Sequence, residues 1–213
     1  MRICFINPNS TASMTEKIAA AAREAARPGT EIVALTSSSG PASIQGEADG
    51  IAAVPGVLAL VSVHDREMDA FVIACFDDTG LAEARALTDR PVHGIGEAAF
   101  VKAMEGGRRF SVVTTLAVSI PVIVGNIEAY GFADACARVR ASEIAVLALE
   151  EEGGAAQEIV AAEIARAIAE DRPDAIVLGC AGMANLAAAY SVRFGLPVID
   201  GVASAVRLLE ARG

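Results

Sequence analysis

Short apolar runs alternate with longer Ala-rich stretches along the whole chain. Residues 2–7 form an apolar run of strand length, and Asn9-Ser10-Thr11 then caps a helix running to about residue 27. Ser13 and Glu16, at the spacing of a capping box, offer an alternative start, and Pro28-Gly29 ends the helix. A strand at 31–36 leads into a loop rich in Ser, Gly and Pro at 37–45. A helix follows from about 46 to 64, with a break predicted at Pro55-Gly56. Next come a strand at 70–74, a helix at about 80–88 and a strand at 91–94. The rhythm resumes with a strand at 110–114, a helix at 121–130 stopped by Gly131, an extended segment within 138–149 and an amphipathic helix at 155–170. A strand at 175–178, a helix at 184–193, a strand at 197–199 and a helix at 202–212 follow. Strands alternating with helices imply an α/β fold with parallel sheets covered on both faces and right-handed crossovers.

Composition narrows the function classes. A chain of 213 residues, 54% of them hydrophobic, can bury one large core or two small ones. The net charge is −10 and the only lysines are Lys17 and Lys102, so no basic cluster follows a phosphate backbone and nucleic acid is not an expected partner. The apolar run 57–63 is too short to span a membrane and abuts His64-Asp65-Arg66-Glu67. The opening has one basic residue, five apolar ones and then a polar loop, unlike a signal peptide. The expectation is a cytoplasmic protein whose cysteines stay reduced. Those cysteines stand at 4, 75, 136 and 180, with no C-x-x-C pair and no ligand-like spacing with His or acids, so no metal and no organic cofactor is expected. No glycine pattern of a nucleotide-binding loop is present.

An internal repeat singles out two of the four. Phe71-Val72-Ile73-Ala74-Cys75 leads through a Gly-containing turn and an Ala-rich helix to Pro91-Val92-His93-Gly94. Ala175-Ile176-Val177-Leu178-Gly179-Cys180 leads through a similar turn and helix to Pro197-Val198-Ile199-Asp200-Gly201. The cysteines lie 105 positions apart, close to the offset of about 108 between the openings at 3–7 and 111–115. Two similar lobes follow, each with a cysteine at a strand's carboxyl end, where open α/β sheets bind ligands. Facing lobes put two thiols on opposite sides of one cleft, with helix N-termini behind them expected to lower their pKa values. A thiolate and a thiol flanking one carbon suit racemisation α to a carbonyl, one removing the proton and the other returning it.

Other residues keep two readings. A cysteine is often mere core filler; Cys4, in the first strand, and Cys136, read as helical, are left so. Asp77 and Asp78 either orient substrate amides or cap a helix, and Asp200 either lines the cleft floor or caps the last helix. His64 reads as solvated, His93 as structural, and Glu97 as a cap or ion-pair partner.

The segments Ile73-Ala74-Cys75-Phe76-Asp77-Asp78-Thr79-Gly80 and Leu178-Gly179-Cys180-Ala181-Gly182-Met183 resemble the two signature segments of hydantoin and allantoin racemases, within the aspartate/glutamate/hydantoin racemase superfamily. Ile6-Asn7-Pro8-Asn9-Ser10, Gly40-Pro41-Ala42-Ser43-Ile44, Val113-Thr114-Thr115 and Pro197-Val198-Ile199-Asp200-Gly201 fit the same group, so the resemblance spans essentially the whole chain. Thr79 departs from it, standing where many relatives have Pro, and relatives often continue past the last helix. The resemblance implies two flavodoxin-like lobes related by a pseudo-twofold axis, 1–95 plus about 200–213 and 96–199, with the site in the cleft between them. It implies Cys75 and Cys180 as the acid–base pair, no cofactor, and a homo-oligomer. Asn9, Ser43, Ile44, Phe76, Asp77, Thr114, Thr115, Ala181 and Gly182 are the implied substrate-binding residues. The implied activity is racemisation of 5-substituted hydantoins, allantoin being one. Rival readings are an aspartate/glutamate racemase, a decarboxylase or maleate-isomerase-like enzyme on the same scaffold, and a binding module without turnover.

Overall fold

The computed structural model describes residues 1–150 and 154–211. The first half runs β1 (Arg2–Asn7), α1 (Ala12–Ala25), β2 (Glu31–Thr36), α2 (Glu47–His64), β3 (Ala70–Ile73), α3 (Leu81–Leu87), β4 (Val92–Gly94) and α4 (Ile95–Ala103). The second half runs β5 (Phe110–Thr114), α5 (Ile120–Ala129), β6 (Cys136–Ala141), α6 (Ala155–Asp171), β7 (Ala175–Gly179), α7 (Ala187–Phe194), β8 (Val198–Ile199) and α8 (Gly201–Glu210). The strands form two four-stranded parallel sheets with one topology, β2-β1-β3-β4 and β6-β5-β7-β8. The last position of the helix expected at 202–212, Arg212, and Gly213 lie outside the described residues.

Apolar strands of this kind must be covered on both faces. On the first sheet, Ile3, Phe5 and Val72 pack under Ile18 of α1 and under Val202 and Val206 of α8. On its other face Cys4, Ile6 and Phe71 meet Val57 and Val61 of α2. The second sheet buries Ile176 and Leu178 under Ile164 of α6, and Phe110, Val112 and Val177 under Ile123 and Ile127 of α5. Helix α4 belongs to both cores: Ile95 and Ala98 join the first, whereas Ala99, Phe100 and Ala103 join the second.

The structure departs from the sequence reading at four places. Helix α4 was not anticipated, because its cap is not local. Asp78, remote in sequence, accepts the N–H groups of Gly96 and Glu97, each at 2.8 Å, and the Tyr130 hydroxyl at 2.8 Å. Helix α2 runs through Pro55 without the expected break; Pro55 faces outward, while Gly56 beside it packs where a Cβ would sit 2.1 Å from Ser37 Oγ. Helix α2 is also long and apolar enough, by length and composition, to cross a membrane, which counting runs between charges passed over. Cys136 starts strand β6 rather than lying in a helix; Gly131 ends α5, and pairing with β5 overrides the helical preference of the Ala-rich segment.

Asp171, at the end of α6, anchors that helix to the sheet. It accepts from Arg140 Nε and Nη2, each at 2.6 Å, and from Ser111 Oγ at 3.0 Å, while Arg140 also reaches Glu163 at 3.3 Å and Glu170 at 2.6 Å. The side chains of Arg140 and Asp171 are almost fully buried. Removing one partner of a buried pair strands the other. Arg140→Ala is therefore expected to lower unfolding stability by about 3–5 kcal/mol, measured by urea denaturation. The Arg140 hydrogen bond holds the Asp171 carboxyl below its usual range. Its contribution is present above the ordinary carboxylate pKa and is lost as pH falls through the depressed folded value, so the variant should lose less stability on acidification than the parent.

Candidate active site

Within each sheet the two central strands send their following helices to opposite faces, and the switch point where ligands bind lies beyond their carboxyl ends. In the first sheet these ends are Asn7 of β1 and, after β3, Ala74 and Cys75. In the second they are Thr114 of β5 and, after β7, Cys180. The residue after each cysteine packs away from its own sheet. Phe76 lies in the core of the second lobe, edge-on to Phe100 with ring centroids 5.4 Å apart. Ala181 lies in the core of the first lobe, with Ile3, Phe5 and Val72. This exchange draws both strand ends to one cavity.

The cavity measures about 30 Å³, room for about one or two water molecules. Of the residues expected to bind substrate, Asn9, Ile44, Phe76, Asp77, Thr114, Thr115 and Ala181 line it together with both cysteines. Ser43 and Gly182 do not. Ser43 is buried behind the wall and accepts from Gln45 Nε2 at 2.8 Å; Gly182 sits behind Cys180, where a Cβ would come 3.7 Å from Sγ. Met14, Ser119 and Val146 line the cavity without having been anticipated. The repeat carries the missing signal, because Val146 stands 102 positions after Ile44, near the offset that relates the cysteines.

Local hydrogen bonds fix these walls. Asn7 Nδ2 donates to Asn9 Oδ1 and to Thr15 Oγ1, both at 3.0 Å, and Asn9 Oδ1 accepts the Thr11 N–H at 3.0 Å, which ties the cavity wall to the start of α1. Thr114 Oγ1 donates to the Gly179 carbonyl at 2.9 Å. A Cβ on Gly179 would lie 2.7 Å from Thr114 Cβ, so only glycine admits this approach. The Cys75 turn is held from the other lobe by Asn126 Nδ2, which donates to the Asp77 carbonyl at 2.9 Å.

Electrostatics around Cys75 differ from the expectation. No long helix begins at either thiol: α3 has seven residues and starts at Leu81, and Cys180 precedes a 3-10 turn, Ala181–Leu186. Burial pushes the Cys75 thiol pKa up, and the Asp77 charge adds to this. The Thr79 hydroxyl and the Asp77 N–H oppose them, and Cys180 raises it further. Burial also lifts the Asp77 carboxyl to about 7 and the Cys4 and Cys136 thiols to about 12 and about 11. A raised thiol pKa thus marks three cysteines alike; only Cys75 and Cys180 share a cavity.

The remaining polar residues resolve into structure. Asp78 caps α4, as described. Asp200 caps α8 through Ala203 N at 2.7 Å and is absent from the cavity wall. His93 Nδ1 and Glu97 Oε2 lie 2.8 Å apart, and Arg85 pairs with the same carboxylate at 2.6 Å. Among the described residues, no three His, Cys, Asp or Glu side chains are grouped to hold a metal ion.

A model of the Asp/Glu/Hydantoin racemase family matches residues 3–209. The chain belongs to that family. It is similar to a hydantoin racemase of Rhizobium meliloti, 47% identical over 212 residues, covering 99% of this chain and 88% of the relative. Among solved structures, an allantoin racemase from Klebsiella pneumoniae superposes with a TM-score of 0.95 at 45% identity, covering 99% of this chain and 86% of that one. A glutamate racemase from Campylobacter jejuni shares the fold at a TM-score of 0.67 and 19% identity, covering 100% and 86%. The racemase family thus includes this chain along essentially its whole length, and the paired parallel sheets are its fold.

The charge of Asp77 opposes ionisation of Cys75. Asp77→Asn should therefore move the alkaline limb of Cys75 alkylation by iodoacetamide to lower pH, followed by peptide mass spectrometry. A limb that stays put or moves upward would contradict the assignment of that charge.

Proposed function

We propose that this racemase inverts the C5 centre of 5-substituted hydantoins, allantoin among them, with Cys75 and Cys180 exchanging the roles of acid and base. The observation that carries the reading is that repeat-related thiols from the two lobes line one cavity. The identity of about half with a hydantoin racemase supports the substrate class.

The chemistry follows from the surroundings. The hydantoin C5 proton is acidified by the adjacent C4 carbonyl, and its removal gives a planar enolate. A thiolate on one side takes the proton, and the opposite thiol delivers another to the far face. Burial and mutual repulsion disfavour two thiolates at once. One base facing one acid is the protonation state that inversion requires, and the enantiomer decides which thiol is which. The polar groups of Asn9, Thr114 and Thr115 are at hand for ring amides and carbonyls.

The cavity wall also favours a neutral ring over an amino acid. Among the described residues it contains no Arg, Lys or His, and its one carboxyl is Asp77. A dicarboxylate substrate would meet no cation there. A decarboxylase reading needs only one catalytic thiol and leaves the second unexplained. We take the enzyme to act in the cytoplasm, where thiols stay reduced, as a homo-oligomer and without a cofactor.

Cys75→Ser and Cys180→Ser should each lower racemisation by about 10²–10⁴-fold, the usual contribution of an acid–base group. Each variant should still exchange the C5 proton for deuterium with one enantiomer only, and the two should prefer opposite enantiomers. Proton NMR in D₂O reads this directly. Near-parental racemisation in either variant would remove that thiol from the mechanism. Dialysis against a chelator should leave the rate unchanged; activity lost and then restored by a divalent ion would point to a metal enzyme.

A further inference from the structure

A cavity of about 30 Å³ must widen to take a hydantoin ring between the thiols, and it leaves no room for the C5 substituent. A larger groove, of about 300 Å³, begins at the same residue, Asp77, which lines both spaces. The groove runs between α2 of the first lobe and α5 of the second, with the Asp77–Gly80 turn as its base. Its apolar walls are Ile51, Val54, Pro121 and Val122. Its polar side chains are Glu47, Asp77, Asp78, Thr79 and Asn126, and two of these are engaged elsewhere. The Asn126 amide donates to the Asp77 carbonyl, and the Asp78 carboxylate is taken by Gly96, Glu97 and Tyr130.

Two helical glycines leave this groove open. Gly50 lies in the first turns of α2 and Gly125 in the middle of α5. Glycine inside a helix is less stable than alanine there, so a packing reason is the usual explanation. Neither has one. A Cβ on Gly125 would meet nothing within 4 Å, and one on Gly50 only Thr79 Oγ1 at an ordinary 3.8 Å. Gly56 of the same α2 helix is the contrast, since a Cβ there would strike Ser37 Oγ. At Gly50 and Gly125 the missing side chains serve only the space they face.

We infer that this groove receives the C5 substituent of the substrate, that it suits bulky apolar alkyl or arylmethyl groups, and that Gly50 and Gly125 set the size it admits. The inference rests on the hydantoin racemase reading. With the ring between the thiols, a substituent pointing past Asp77 enters a space bounded by valine, isoleucine and proline and leaves water behind.

The test compares kcat/KM for racemisation of 5-benzylhydantoin and 5-methylhydantoin by the full chain, Gly125→Ala, Gly125→Leu and Gly50→Leu. The parent should favour the benzyl substrate. The benzyl-to-methyl ratio should fall about tenfold or more in Gly125→Leu and Gly50→Leu, the scale on which small volume changes in apolar pockets act. Gly125→Ala, which the helix accepts readily, should shift it in the same direction by about two- to threefold, and this decides the matter if a leucine variant fails to fold. An unchanged ratio in folded variants overturns the inference. So does an unchanged ratio accompanied by altered sedimentation, which would make the groove a contact between copies. If the parent racemises neither hydantoin, the activity reading fails first and the substituent site falls with it.

Discussion

The site depends on an exchange of neighbours between the lobes. Phe76 follows Cys75 out of the first sheet and is buried among Phe100, Phe110 and Val112 of the second lobe. Ala181 follows Cys180 out of the second sheet and is buried among Ile3, Phe5 and Val72 of the first. Burying a phenylalanine is worth about 1.5–3 kcal/mol, so the lobes cannot separate fully without exposing it. The same contacts bring both cysteines to one cavity. Helix α4 reinforces the join, because it feeds side chains to both cores and is capped by Asp78 from the Cys75 turn. The geometry of the candidate site and the cohesion of the lobes are thus one set of interactions.

That arrangement also explains the electrostatics. A thiol placed where two cores meet is largely shielded, so burial raises the pKa of Cys75 rather than lowering it. A shielded site suits an enolate, since hydrogen bonds to developing charge strengthen as water is excluded. The cost is that burial disfavours the Cys75 thiolate, and Asp77, its carboxyl pushed up to about 7, disfavours it further once ionised.

Much of this was legible before the structure, and for physical reasons. Strand positions follow from apolar runs that must be covered on both faces, and the duplication carries the pairing of Cys75 with Cys180. What stayed hidden depends on long-range contacts. Helix α4 has no local cap, since Asp78 supplies it. Cys136 sits in an Ala-rich stretch that reads as helix until pairing with β5 decides otherwise. Pro55 is tolerated because it lies on the outer face of α2. Met14 and Ser119 reach the cavity from helix starts and stand 105 positions apart, the offset of the two cysteines, so the repeat relates them although no local motif does. Ser43 and Gly182, implied by the resemblance, do not line the cavity.

The placement of α8 bears on how the protein is made. Every strand and helix of the second lobe is complete by residue 199. The first lobe, although synthesised earlier, has one sheet face only partly covered, by α1 and α4, until Val202, Val206 and Leu209 arrive. A nascent chain emerging from the ribosome therefore carries Ile3, Phe5 and Val72 under part of their final cover through nearly the whole of translation, although domains generally settle in the order they emerge. Here that order is inverted: the amino-terminal lobe closes last. Premature termination within the final helix would release a chain with a finished second lobe, an open first lobe and an unassembled site.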